Sequence, residues 1–181
     1  GFVLAHIQKL CRQTKIISEA ENFLLQSRHE DGGWSYSSPV PSDADSTAWC
    51  LQALRSCKNF TEPDKEKATT FLWRHFTSGG VSTYRIDSGI RGFISAPADE
   101  FIAGWISPHP DVSIAAVLAD SQNEQAAEII RWLTEQQTSK GFINSYWWRS
   151  QYYTTTLFLR AVSNNKQQLS NEHAGLIAES L

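Results

Sequence analysis

The sequence predicts an all-α protein of stacked helical hairpins, in which inner and outer rings of helices form an α/α toroid or a partial barrel of that kind. Three observations predict this fold. Amphipathic segments alternate with segments that carry almost no charge, and the connections between them are rich in glycine and aromatic residues. No array of strand-like, alternating segments is present.

Amphipathic segments with one polar face are expected to form the outer helices. In the first segment, Ile16, Ala20 and Phe23 lie opposite Lys15 and Glu19. The outer helices are predicted at 16–26, 64–76 and 123–136, with a further outer helix or cap at 171–181.

Segments almost free of charge alternate with the amphipathic ones, and a helix that is apolar on every side must be covered on every side. The inner helices are therefore predicted at 44–54, 112–119 and 153–162, where Arg160 is an exception. Residues 2–11 predict another mostly apolar helix. At 181 residues, the chain is expected to form a single domain, 1–181.

The connections from outer to inner helices, 28–42, 77–110 and 138–150, should gather at one end of the toroid. The middle connection is over thirty residues long, and loops of that length are usually functional or disordered. Its content of glycine, isoleucine, phenylalanine and tryptophan predicts an ordered, lid-like loop over about 77–110.

Composition and charge exclude several functions. The net charge of −3 leaves no basic stripe to neutralise phosphates, so nucleic acid is not an expected partner. No apolar run approaches the roughly 20 residues that cross a bilayer, so no transmembrane segment is expected. Cys11, Cys50 and Cys57 lack the spacing of metal ligands, and they are predicted to be reduced packing residues of a cytoplasmic protein without a metal site.

Three stretches resemble a known repeat. Residues 26–34, Gln-Ser-Arg-His-Glu-Asp-Gly-Gly-Trp, resemble the QW repeat of the squalene-cyclase superfamily, in which an outer helix ends in Gln and enters an Asp-Gly-x-Trp turn. A weaker copy at 137–147 places Trp147 where the first has Trp34, and a degenerate copy lies at 76–84. The resemblance implies that both tryptophans are structural, and His29 in the first turn is expected to face solvent.

Residues 42–48, Ser-Asp-Ala-Asp-Ser-Thr-Ala, are similar to the catalytic Asp-x-Asp-Asp-Thr-Ala motif of class II terpene cyclases. They stand at the start of an inner helix, directly after a QW-like turn. The resemblance implies that Asp43 is the first acid and that Asp45 is the middle acid, which donates the proton. Ser46 replaces the third acid, as Cys does in the similar oxidosqualene cyclases. The implied function is cyclisation of an isoprenoid or polyene by Asp-mediated protonation, a chemistry that requires no cofactor.

The two acids also have a purely structural interpretation. Aspartate and serine are favoured at the N-cap and first turn of a helix, where the helix dipole favours the anion over the protonated acid. The sequence leaves both interpretations open.

Other candidates come from the aromatic content and from His109, which directly precedes the second inner helix. A protonated His109 paired with one Asp would hold it anionic, although a surface histidine in a proline-rich turn is the alternative. An aromatic pocket would stabilise carbocations and exclude water. The candidate substrate-binding residues are Trp49, Tyr84, Trp105, Tyr146, Trp148, Tyr152 and Tyr153.

Two further functions stay open at this point. A polyene could be cyclised by shape and proximity alone, as in a pericyclic catalyst, or the chain could be a non-catalytic module that binds an apolar ligand or a protein partner. Class II cyclases usually place the active site between two toroid domains. The size of this chain therefore implies a missing second domain, a homodimer, or a different way of working.

Overall fold

The computed structural model describes residues 1–8 and 14–165, and these residues are mostly helical, as the sequence predicts. They form two compact units. Among the described residues, the first comprises 1–8, 14–75 and 83–107, and the second comprises 76–82 and 108–165. Cys11 and the helix predicted at 171–181 lie outside the described residues.

The first unit contains six helices among its described residues. They are α1 (Phe2–Ile7), α2 (Thr14–Gln26), α3 (Ala44–Leu54), α4 (Glu62–Trp73), α5 (Ile90–Phe93) and α6 (Ala103–Ile106). Helix α3 has the bounds predicted for the first inner helix, and α1, α2 and α4 all pack against it. Eight of its eleven residues are buried, as its low charge requires.

Helix α4 begins at a Thr61 cap, whose side chain accepts the Asp64 backbone N–H, and it ends at Trp73. The prediction that this helix extends to residue 76 is wrong. Phe76 instead pairs with Val81 in a tight hairpin, whose turn holds Ser78 at a φ of 49°.

The long connection predicted as a loop is ordered. Its portion in the first unit carries α5 and α6, and Tyr84, Ile90 and Ile102 form a buried cluster with Val40. This cluster explains why the segment is folded, because its apolar side chains have a core of their own. Its action as a lid stays a prediction.

The second unit combines a small hairpin with three described helices. Its elements are β1 (Phe76–Thr77), β2 (Gly80–Val81), α7 (Pro110–Ala119), α8 (Ala126–Glu135) and α9 (Gln151–Asn164). Helix α7 is buried from Asp111 to Leu118 and packs against α8, α9 and β2. It corresponds to the second predicted inner helix.

Helix length also bears on membranes. The 14-residue α9 is the longest helix in the described part of the chain, and no helix there is long and apolar enough to cross a bilayer.

One local arrangement occurs three times and ties a turn to the following inner helix. Each turn contains a glycine with positive φ, at Gly32 (96°), Gly79 (85°) and Gly141 (77°). Two residues later, a backbone N–H donates to a hydroxyl in the first turns of the inner helix. The pairs are Trp34 to Thr47 (3.0 Å), Val81 to Ser113 (2.7 Å) and Ile143 to Thr155 (3.0 Å).

This arrangement corrects the sequence alignment of the repeats. Trp34 is buried, and its indole donates to the Leu24 carbonyl at 2.7 Å, near the end of α2. The residue that makes the equivalent backbone hydrogen bond in the third turn is Ile143, which is fully buried. Trp147, by contrast, is 40% exposed. The alignment of Trp147 with Trp34 is therefore wrong, because the sequence match followed the aromatic type and not the turn glycine.

Candidate active site

Asp43 caps the N-terminus of α3. Its backbone is extended, and its Oδ1 accepts the Ser46 backbone N–H at 2.7 Å. Its own backbone N–H donates to the Trp34 carbonyl at 2.9 Å, and its carbonyl accepts the Thr47 hydroxyl at 2.7 Å. The predicted capping role of Asp43 is thus confirmed, and its position is defined on both sides by the preceding turn and the helix.

The Asp43 carboxyl lies in an environment that disfavours its charge. The residue is only 2% exposed, and this burial raises its pKa from 3.8 to about 6, although the Ser46 hydrogen bond acts in the opposite direction. Its Oδ2 is buried and has no hydrogen-bond partner among the residues that the structure describes. A carboxyl with one satisfied and one unsatisfied oxygen can hold a proton on the unsatisfied one.

Asp45 lies in the first turn of the same helix and is only half-buried. Its Oδ1 accepts the indole N–H of Trp49, one turn further along α3, at 3.0 Å. The two acids of the motif therefore differ in environment, because Asp43 is enclosed and Asp45 has access to open space.

A cavity of about 680 Å³ in the first unit borders Asp45. This volume lies within the range typical of small-molecule sites, roughly 300 to 1,000 Å³. Asp45, Ser46 and Trp49 line it from α3, and Trp34 and Phe23 contribute apolar surface. The structure therefore brings one predicted acid and one predicted aromatic residue together at a concave site.

Tyr84 and Trp105 form a second group in the first unit. Their rings lie 5.9 Å apart, and the Tyr84 backbone N–H donates to the Trp105 carbonyl at 3.0 Å. Burial of Tyr84 raises the pKa of its phenol above the usual range, and the negative charges of Asp43 and Asp45 act in the same direction. Tyr84 is thus electrostatically close to the acid pair, although neither aromatic residue lines the cavity beside Asp45.

In the second unit, His109 occupies the N-cap position of α7 and is buried. Its ring stacks on Tyr146, with centroids 3.8 Å apart, and meets the edge of Trp147 at 6.0 Å. The expectation that it is a surface histidine is wrong, because this aromatic stacking removes it from water. Its pairing with an Asp of the motif stays a prediction.

The remaining predicted aromatic residues lie on or near the start of α9. Trp148 contacts Tyr153 at 4.9 Å, and Tyr152 contacts Phe142 at 5.3 Å. Trp148 and Tyr152 are exposed. The second unit thus holds two aromatic pairs, and in each pair one predicted residue, Trp148 or Tyr152, is accessible to solvent.

Comparisons with known proteins found matches among solved structures, whereas no protein-family model and no curated protein matches the sequence. The type II terpene cyclase MstE from Scytonema, solved as a variant with the product merosterolic acid A, matches with a TM-score of 0.82 and 25% identity. The match covers 99% of this chain. This chain has a class II terpene cyclase-like fold. The resemblance predicted from residues 42–48 is therefore confirmed.

Two further solved structures match this chain with similar TM-scores. A variant of MstE with the substrate geranylgeranyl dihydroxybenzoate matches with the same TM-score, identity and coverage. A protein from Actinoplanes matches with a TM-score of 0.79 and 27% identity over 90% of this chain. The chain spans about half the length of these structures, 52% for MstE and 49% for the Actinoplanes protein.

Some residues of this cyclase-like chain were missed or misplaced by sequence reasoning. His29 does not simply face solvent, because it is half-buried and its Nδ1 lies 3.0 Å from the Ser42 hydroxyl. Thr47 and Asp111 were not singled out. Thr47 and Ser113 each follow the N-cap residue of their helix by four positions, and this shared spacing is the signal for Thr47. Asp45 and Asp111 each follow the N-cap residue by two positions, and this spacing is the signal for Asp111.

Proposed function

We propose that this protein cyclises an isoprenoid or another polyene by protonation from the acid pair of α3. The observation that carries the proposal is the contrast between the two carboxyls. Asp43 is buried with a pKa of about 6, and Asp45, two residues along, borders a cavity. The fold shared with MstE, which was solved with an isoprenoid substrate and a product, supports the same reaction class.

Asp45 is the proposed proton donor because it faces the space that a substrate could occupy. In this step the π electrons of the terminal alkene, or a lone pair of an epoxide, form a bond to the acidic proton. The O–H bonding electrons stay on Asp45 as a carboxylate. Asp43, whose pKa is raised by burial to about 6, lies two residues before the donor and would act through it without touching the substrate.

The aromatic residues have a proposed role after protonation. Trp49 lines the cavity and holds Asp45 through its indole N–H, so it is placed to contact both the acid and the growing cation. Aromatic faces attract cations by about 0.5 to 2 kcal/mol per ring. The other proposed substrate-binding residues are Tyr84, Trp105, Tyr146, Trp148, Tyr152 and Tyr153. The toroid, the QW repeat, the cytoplasmic location and the homodimer stay predictions.

The test is turnover of geranylgeranyl dihydroxybenzoate, followed by mass spectrometry of the cyclised product. Asp45→Asn should lower turnover by about 100-fold or more, as expected for loss of an acid catalyst. Asp43→Asn should lower it less, since Asp43 acts through its neighbour. Asp99→Asn, a matched change at an exposed loop position, should leave turnover unchanged.

One outcome would remove Asp45 from catalysis. It is an Asp45→Asn protein that is folded, binds the polyene and cyclises it at the wild-type rate. Cyclisation by shape alone would then be the better explanation. A Trp49→Ala variant separates the remaining possibilities, because loss of a cavity wall should impair either kind of cyclase.

A further inference from the structure

Asp111 occupies the same position after the helix cap in α7 as Asp45 does in α3. It is buried, with 3% of its surface exposed. One of its oxygens, Oδ2, accepts two hydrogen bonds, one from the Ser145 hydroxyl and one from the Trp147 backbone N–H, each 2.8 Å long. Both donors lie more than thirty residues further along the chain.

These hydrogen bonds fix the backbone conformation of residues 145–148, which we call the aromatic segment. The Ser145 hydroxyl, held by Asp111, also accepts the Trp148 backbone N–H at 3.0 Å. Between the anchored residues, Tyr146 stacks on His109, the cap of the same helix. The conformation of the whole segment therefore depends on the N-terminal turn of α7.

Burial cannot explain why these aromatic residues keep one arrangement. Tyr146, Trp147 and Trp148 are 51%, 40% and 48% exposed, so the hydrophobic effect holds them only in part. A buried carboxylate is costly unless it is well hydrogen-bonded. Here its bonds are directed to this one segment, and Oδ1 has no partner within the described ranges.

We propose that Asp111 is a positioning residue that holds the rings of Tyr146 and Trp148 in place against a bound polyene. This inference rests on the proposed function for its ligand, but it concerns a different helix from the acid pair. Asp111 acts through the aromatic segment and does not touch the reacting atoms. Ordered rings would bind an apolar chain more tightly than mobile ones, because less side-chain entropy is lost on binding.

A first experiment measures order without any substrate. Arg149 is exposed and directly follows the segment, so trypsin cleavage after Arg149, identified by mass spectrometry, reports on its opening. Asp111→Ala should increase this cleavage rate by about tenfold, from the loss of hydrogen bonds to a charged group. The cleavage rate of Asp111→Asn should lie between those of wild type and Asp111→Ala, since the amide oxygen can still accept hydrogen bonds. Glu128→Ala, at an exposed position in α8, should behave as wild type.

A second experiment measures the consequence for the ligand. Titration with geranylgeranyl dihydroxybenzoate, followed by tryptophan fluorescence, should give a Kd about tenfold weaker for Asp111→Ala, with partial recovery in Asp111→Asn. If the protein turns this polyene over, KM should rise by a similar factor while kcat changes little. Ser145→Ala should act in the same direction with a smaller effect.

The outcomes separate this proposal from the proposed function. If cleavage at Arg149 increases but Kd and KM are unchanged, Asp111 only stabilises the fold and the proposal is wrong. Unchanged cleavage also overturns it. If wild-type protein binds the polyene without cyclising it, the proposed function fails, yet a weaker Kd for Asp111→Ala still supports Asp111 as a positioning residue. A wild-type protein that does not bind the polyene overturns both.

Discussion

Replacement of Asp43 by asparagine should change how stability depends on pH. The carboxyl is almost completely buried, one oxygen accepts the Ser46 backbone N–H, and the other has no partner in the described structure. Asparagine has nearly the same shape and is also a favoured N-cap residue, so the hydrogen bond at the helix start should persist. It has no titratable proton, and the comparison therefore isolates the charge.

The direction and size of the effect follow from the pKa. Native Asp43, with a pKa of about 6, binds its proton more tightly than the unfolded chain does, with 3.8. Its contribution to the free energy of unfolding is therefore most favourable below pH 4 and falls as pH rises to about 6. Each pKa unit is worth about 1.4 kcal/mol, so the whole change amounts to about 3 kcal/mol.

The assay is urea denaturation of both proteins at several pH values from 4 to 7.5. All other titrating groups are common to the two proteins, so the difference between their free energies of unfolding reports on Asp43. The variant should gain about 2.4 kcal/mol relative to wild type between pH 4 and 7.5, because the rest of the change falls below pH 4. The absolute size of the difference in free energy of unfolding also includes the cost of burying the asparagine N–H donor, and this cost is the same at every pH.

A constant difference between the two proteins from pH 4 to 7.5 would refute the reasoning. It would mean that Asp43 has an ordinary pKa and that its burial is relieved in solution. A relative loss of stability by the variant as pH rises would be a stronger contradiction, because it would show a carboxylate stabilised in its charged form. Either result would remove the main physical support for the acid pair.

Two other predictions test the turns. Thr155→Val removes the acceptor of the fully buried Ile143 N–H while keeping the shape of the side chain, and it should cost about 1 to 3 kcal/mol in urea denaturation. Equal stability would show that water replaces the hydroxyl. Gly80→Ala would place a Cβ 3.0 Å from the Ser113 hydroxyl, and it should lower the melting temperature through overpacking worth about 1 to 3 kcal/mol. Gly92→Ala is its control, with no atom within 4 Å, and should be neutral or slightly stabilising; similar losses in both would contradict the steric explanation.

The sequence predicts the bounds of a helix well where the local pattern of charged and apolar residues defines the helix without distant contacts. Helix α3 is almost uncharged, and its bounds agree with the prediction. Helix α7 begins two residues before the predicted start, because Pro110 fits the first turn of a helix. The apolar character of Phe76 fits a helix and a strand equally well, and only its pairing with Val81 decides between them.

The candidate site was less predictable because its features depend on distant contacts. The motif correctly placed Asp43 at a helix start, but no local pattern shows that it is more deeply buried than Asp45. The hydrogen bond between Asp111 and Trp147 joins positions 36 residues apart, and nothing near either residue indicates the other. Local sequence therefore placed the two acids at the start of a helix but not the burial that raises the pKa of Asp43.

The turn-to-helix hydrogen bonds have a consequence for how such chains can diversify. They join positions 13, 32 and 12 residues apart, so the same closure encloses loops of very different length. Lengthening a closed loop costs little, about 0.6 kcal/mol for each doubling. Insertions between the two anchor points can therefore change what surrounds the helix start while the helix itself stays in register. These three places are therefore where insertions of different length should disturb the helical hairpins least.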